Sequence, residues 1–369
     1  MNVAIALFIS LLIPLGFSYL IHKRDFYGTG KFHYNITAIA AGMFVSLVAG
    51  LIQSGIVESG WLNRTQVARE VAPILEELLK AFILVFLVRR ADFNYVVDGA
   101  IYGIGAGLGF AVVETAFYVM GTDGSAINLA RDRVFSANLI HAAASGLVGS
   151  ALAASQLERG FKRTVFAVFG LTLAIFLHMG FNLMVTAGTS VVLAILAGCI
   201  SFGCVALIVE LSLKVQGKWI AESLGMTDQV TTGEAAVVQR IQNMDEVLAP
   251  INQQFGPDKA VQTESLIYLQ AEIGIKRGLV QQTADPVKRS TLQTELNRLT
   301  TEMNALRKAI GPYCLLFVRS IYLARGSQLW DVINARIRAA GQGPAGGGVW
   351  STLDQRIKSS KARVVDRER

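Results

Sequence analysis

Up to Leu213 the chain is a succession of long apolar runs parted by short polar connections, and beyond Lys214 it becomes polar, Gln-rich and periodic. The runs fall near 3–21, 36–57, 71–88, 99–120, 135–155, 165–186 and 190–213. Each holds roughly 18 to 23 residues, enough for a helix to cross a hydrocarbon core of about 30 Å. The pattern predicts an all-α, polytopic membrane protein with about seven transmembrane helices, followed by a C-terminal cytosolic helical region.

In that region Leu292, Leu296, Leu299, Met303, Leu306 and Ile310 recur at alternating spacings of four and three, and Val237, Ile241, Met244, Leu248, Ile251 and Phe255 do much the same. Both seams are shorter than the three to four heptads expected of a long coiled coil, so a compact helical bundle or a short dimerisation element is the expectation. Asp285-Pro286 reads as a helix start and Gly311-Pro312 as a break. The stretch Gly341 to Gly348 reads as a linker and Gln355 to Arg369 as a mobile end. The expected domains are 1–213 in the membrane, 214–340 as a cytosolic helical domain, and 341–369 as a flexible Gly-rich and basic tail.

Composition agrees with a membrane protein: 52% of the 369 residues are hydrophobic and only 17% charged, with a mean hydropathy of +0.45. The first run has no basic residue before it and no small-residue cleavage pattern after it, so it reads as a retained anchor rather than a signal peptide. Positive charge sets the expected orientation. Lys23, Arg24, Lys31, Arg89, Arg90, Arg159, Lys162 and Arg163 lie in the first, third and fifth connections, against Arg64, Arg69, Arg131 and Arg133 in the alternate ones. This bias puts the N-terminus outside and the C-terminal region in the cytosol of a plasma (inner) membrane.

The net charge of +7 belongs almost wholly to the tail, since residues 1–213 carry 13 basic and 12 acidic side chains. A basic tail beside an anionic leaflet needs no nucleic acid, and no nucleic-acid-reading motif is present. Cys199, Cys204 and Cys314 have neither zinc-type nor disulfide-framework spacing.

Within the apolar runs lie groups that a bilayer should exclude. Glu76, Glu77 and Lys80 fall in the third run, Glu114 in the fourth, His141 in the fifth, and His178 with Asn182 in the sixth. A charge at mid-bilayer costs on the order of 3 kcal/mol or more, so such groups normally face a protein interior and carry chemistry, transport or pairing. With the orientation above, Glu76, Glu77, Glu114, His141, His178 and Asn182 converge on one level in the outer half of the membrane, four to eight residues from helix ends. Gly103, Gly105, Gly107 and Gly109 alternate in the fourth run and form i,i+4 pairs suited to close helix packing. They are not a phosphate loop, because the GxGxxG spacing is absent.

Lys80 stands at i+4 from Glu76 and i+3 from Glu77, so it can pair with either carboxylate and leave the other as a general base. A buried ion pair without catalysis is the plainer alternative, and His141 alone would pass for a satisfied interior histidine. His178 and Asn182 share a helix face and can both donate to a developing oxyanion. Glu77, Glu114, His141 and His178 could instead hold a divalent metal such as zinc, although no HExxH motif accompanies them. Asp98, Glu210, His22 and His33 lie at the wrong level and read as boundary residues. Arg131 and Arg133 read as a solvated connection.

The ordered set Ala72-Pro73-Ile74-Leu75-Glu76-Glu77-Leu78-Leu79-Lys80, Asp98-Gly99 with Tyr102-Gly103, Gly109 to Glu114, His141, and His178-Met179-Gly180-Phe181-Asn182 resembles the PrsW family of intramembrane proteases over roughly residues 36–213. That family is related to the CAAX-protease and bacteriocin-processing group, from which this chain departs by Glu114 and Ala81 where histidine and arginine would stand. Thr115 departs from the Asn common in PrsW proteins. The resemblance implies cleavage of a membrane-tethered protein, such as an anti-sigma factor, on the outer side of the membrane.

The expected function is therefore an intramembrane endopeptidase of glutamic or metallo type. Glu76 or Glu77 would activate water, His141 and Glu114 would position it or hold a metal, and His178 and Asn182 would stabilise the oxyanion. The cofactor is a divalent metal such as zinc, or none. Partners are the lipid bilayer, a membrane-tethered substrate, and contacts of the tail with cytosolic proteins or a second copy. The alternative is a non-enzymatic scaffold or transporter. Polar residues confined to the outer half of the membrane count against a transporter.

Overall fold

The computed structural model describes residues 2–25, 27, 31–89, 96–224 and 230–321. Among these every regular element is helical. The segments 341–348 and 355–369, expected to be a linker and a mobile end, lie outside the described residues.

The membrane-type helices are α1 (Asn2–Lys23), α2 (Phe32–Glu58), the short α3 (Arg64–Gln66) leading through a π turn (Val67–Val71) into α4 (Ala72–Val88), α5 (Val96–Met120), α6 (Ala126–Val134), α7 (Ala137–Ser155), α8 (Gly160–Thr186) and α9 (Val191–Ser223). Among the described residues six spans are long and apolar enough to cross a membrane: α1, α2, α5, α6 with α7, α8 and α9. The third apolar run forms α4, which has 17 residues and includes Glu76, Glu77 and Lys80. It is extended at its N-terminal end by the π turn and α3, and Asn63 caps the whole stretch by accepting from Gln66 N. Pro73 explains the π turn: it has no N–H, its ring crowds the preceding turn, and the Ala72 N–H reaches back five residues to Val67 O.

One compact unit comprises Met1–Trp219 with Gly274–Asn297. At its centre α5 packs along α7 and α2. Most residues of α5 and of α6 with α7 are buried, whereas most of those on α1, α2, α8 and α9 are not, and these outer helices turn Phe8, Phe44, Phe169, Phe176 and Ile200 outward. Large exposed apolar side chains on the outer helices are what lipid solvates. Glycine lets the central helices meet. A Cβ at Gly103 or Gly107 would overlap the Ser145 or His141 carbonyl of α7, and one at Gly105 or Gly109 would overlap Asn35 or the Ile39 carbonyl of α2. The alternating glycines thus serve two faces of one helix, each as an i,i+4 pair.

The same unit includes the turn between α12 (Pro257–Gln282) and α13 (Pro286–Ile310), where Ala284 N donates to Leu157 O at 2.8 Å and Arg163 pairs with Asp285 at 3.6 Å. Asp285 begins α13 by accepting from Val287 N.

The second unit comprises, among the described residues, Ile220–Ile273 and 298–321. It contains α10 (Thr232–Val238), α11 (Met244–Phe255) and α14 (Pro312–Ser320). The seam from Val237 to Phe255 does not lie on one helix, because the chain breaks into a 3-10 turn at Ile241–Asn243. Gly311, at φ 88°, ends α13 as its pairing with Pro312 implies. Glu234 is fully buried and accepts from Arg307 at 2.9 Å and Arg319 at 3.1 Å, so α10 is fastened to the end of α13 and to α14.

Candidate active site

Helix geometry explains how α4 uses its three charges. Successive residues are rotated by about 100°, so Glu76 and Glu77 diverge. Lys80, at i+3, places Nζ 2.6 Å from Glu77 Oε1 and 4.7 Å above the Phe110 ring. Glu76, Glu77 and Lys80 are all buried. Glu77 Oε1 also receives His178 Nδ1 at 2.9 Å. On the other side, His141 Nε2 lies 2.8 Å from Glu114 Oε2, and the two imidazoles meet edge to face at 4.7 Å.

These contacts assign the imidazole tautomers. A carboxylate only accepts, so His178 donates from Nδ1 and His141 from Nε2. Their remaining nitrogens, His178 Nε2 and His141 Nδ1, lie 3.8 and 4.0 Å from Glu76 Oε2. That oxygen is buried without a hydrogen-bond partner, while Glu76 Oε1 accepts from Gln53 Nε2 at 2.9 Å. Glu76, His141 and His178 each offer one ligand atom within 4.8 Å of the others. Two imidazole lone pairs and an orphan carboxylate oxygen facing one another match the donor set of a zinc-type ion. The chain therefore fits a metal. Lys80 Nζ donates to His141 Nδ1 at 3.2 Å, so an ion bound through that nitrogen would replace this hydrogen bond.

This grouping differs from the sequence expectation in one respect. Of the expected metal-binding carboxylates, Glu77 and Glu114 stand behind the histidines and hold them, and Glu76 is the one that faces both rings. Carboxylates in that position fix the tautomer and orientation of metal-binding imidazoles. Asn182 follows His178 by one turn on the same face, but the rise of about 6 Å takes its amide to the π turn, where it donates to Ala68 O at 2.9 Å.

Several contacts around the site were not expected from the sequence. Arg133, expected in a solvated connection, lies on α6 with Nη2 2.7 Å from Glu114 Oε2, Nε 3.2 Å from Thr115 Oγ1, and its guanidinium 3.9 Å from the Tyr118 ring centroid. Thr115 donates to Asn138 on α7 at 2.8 Å, tying α5 to α7 beside the site. Arg131, two residues earlier, pairs with Asp132 in an exposed position. Of the four groups taken for boundary residues, Glu210 pairs with Arg24 at 3.4 Å and half exposed, His22 and His33 pack on Phe32 and Tyr34, and Asp98 is fully buried at the start of α5.

Over 119 residues the chain is 29% identical to Protease PrsW of Clostridioides difficile (strain 630), a match covering 31% of this chain and 50% of that protein. It thus spans about half the length of that relative. No solved structure matches. Residues 31–230, more than half of the chain, match the family described as PrsW family intramembrane metalloprotease, and they include every residue of the buried cluster. The chain belongs to the PrsW family.

Proposed function

We propose that this chain is an intramembrane metallopeptidase that hydrolyses a peptide bond of a membrane-tethered protein near the outer side of a bacterial-type plasma membrane. The observation that carries this reading is the unpartnered Glu76 Oε2 set between two imidazole nitrogens, inside a bundle whose surface is lipid-facing. A divalent cation would be held by Glu76, His141 and His178. Bound there, it would polarise the scissile carbonyl and make water a competent nucleophile at neutral pH.

The protein groups divide the remaining work. Glu77, with Lys80, holds His178, and Glu114 with Arg133 holds His141. Glu114 also lines a cavity of about 600 Å³ that reaches Glu76. Both of its short contacts fall on Oε2, which leaves Oε1 to take a proton from the attacking water and return it to the departing amide nitrogen. Asn182 positions the π turn that leads into α4, rather than the oxyanion. The positive-inside bias supports the N-terminus outside and the C-terminal units in the cytosol. An anti-sigma-factor-like protein is a substrate of the right kind.

The test is joint measurement of metal and cleavage on the full chain in liposomes. Wild-type protein should bind close to one zinc ion per chain, and Glu76→Gln should lose both the ion and cleavage of a single-pass reporter. Full cleavage by Glu76→Gln, or by zinc-free protein after chelation, would sink the proposal.

A further inference from the structure

Two cavities of about 600 Å³ each share Gln53, Ser54, Phe117 and Tyr118 and so form one continuous groove along α2. Its inner part is walled by Leu47, Gly50 and Leu51 of α2 and by Phe110 and Phe117 of α5, with Glu76 and Glu114 at its floor. Leu47, Leu51 and Phe117 are strongly exposed, so the groove opens sideways where acyl chains lie. Its outer part passes Glu58, Arg64 and Thr65 at the end of α2 and the start of α3.

The lining thus changes from apolar to charged along its length, with hydrogen-bonding groups at the deepest point. A segment leaving a bilayer has the matching profile: apolar residues inside, polar residues beyond. To be cut it must also be extended, and an unwound backbone in hydrocarbon leaves amides unsatisfied. Gln53, Ser54 and Ser46 line the groove at the level where such amides need partners. A lipid acyl chain would offer no hydrogen bond to the Ser46 and Ser54 hydroxyls or to the unpartnered Glu76 Oε2.

Building on the peptidase reading, we propose that the groove between α2 and α5 is the lateral docking site for the extended juxtamembrane segment of a single-pass membrane protein. Its apolar side chains lie on Leu47, Leu51 and Phe117, its main chain runs past Gln53 to Glu76, and its polar flank meets Glu58 and Arg64.

Two glycines of α2 make the test selective. A Cβ at Gly50 or at Gly55 meets nothing, yet Gly50 lines the groove and Gly55 lines neither cavity. The probe is a set of single-pass reporters with one anchor and randomised juxtamembrane segments, from which a reporter cut by wild type and not by Glu76→Gln is taken. Gly50→Trp should raise KM or abolish cleavage by about tenfold or more with unchanged zinc content, while Gly55→Trp stays within about twofold of wild type. In a Glu76→Gln background, a benzophenone side chain at position 51 should crosslink to the reporter's juxtamembrane segment, and one at position 176 on the lipid face of α8 should not. Normal cleavage by Gly50→Trp, or crosslinks from position 51 to lipid alone, overturns the groove and leaves the peptidase reading standing. Equal processing of every reporter by Glu76→Gln overturns both.

Discussion

Arg133 and Glu114 form a 2.7 Å ion pair whose accepting oxygen, Glu114 Oε2, also receives His141 Nε2. The pair joins the short helix α6 to α5, and through His141 to α7, so a residue on the short helix that leads into α7 helps hold an imidazole at the centre of the bundle. Arg133 is mostly buried and braced by Tyr118, which favours it over a longer, more flexible ammonium.

Arg133→Ala should therefore weaken zinc binding and cleavage by about 10- to 100-fold, the range for outer partners of metal-binding histidines. Arg133→Lys keeps the charge but loses the forked contact to Glu114 and Thr115, and should recover only part of both. Arg131→Ala, two residues away and exposed, should change neither. Zinc affinity by competition with a fluorescent chelator separates these outcomes from a simple loss of fold.

That Glu76, Glu77, Lys80, Glu114, His141 and His178 keep company was legible in the sequence, because a charge in an apolar run has few explanations. Their division of labour was not. Helical spacing allows Lys80 to reach either glutamate, and only the packing of α8 against α4, which brings His178 to Glu77, decides the matter. Arg133 escaped because an arginine in a connection resembles any solvated arginine. The faint signal was its helix, where Ala126, Ala130 and Val134 form a buried stripe at i, i+4 and i+8. Asn182, one turn beyond His178 on the same face, donates to Ala68 O, a contact that helical spacing alone does not show.

The Glu77–Lys80 pair sits almost wholly out of solvent, and its two single neutralisations should be costly. Glu77→Gln or Lys80→Met alone leaves one buried charge and should destabilise the protein by about 3–5 kcal/mol. The double variant removes both charges and keeps an amide oxygen for His178 Nδ1, so thermal unfolding in nanodiscs should return most of the way to wild type. Its zinc affinity should stay low, because a neutral amide is a poorer acceptor for a metal-binding imidazole. Additive losses in the double variant would show that the pair is not coupled.

Gly107 brings α5 against the very carbonyl of His141. Gly107→Ala must push α7 away and should destabilise by about 1–3 kcal/mol, as overpacking does, with a clear loss of zinc affinity. Gly103→Ala meets the Ser145 carbonyl one turn along α7 and should cost similar stability with less effect on zinc. Gly180→Ala, where the added Cβ meets nothing, is the control and should do neither.

Glu234 offers a prediction confined to the second unit. It is fully buried and neutralises two arginines, Arg307 and Arg319, which lie 73 and 85 residues farther along the chain. Its backbone also takes part in a capping box with Thr231 at the start of α10. Glu234→Gln retains the volume and the cap but removes the carboxylate charge that faces Arg307, itself nearly buried. The expected cost is about 3 kcal/mol, borne by α10 and α14. Limited proteolysis should then cut near α10 or α14 much faster than in wild type, while zinc content and protection of α4, α5, α7 and α8 are unchanged. Loss of zinc together with faster proteolysis would instead mean that the folding of this unit and of the metal-binding helices is one cooperative event.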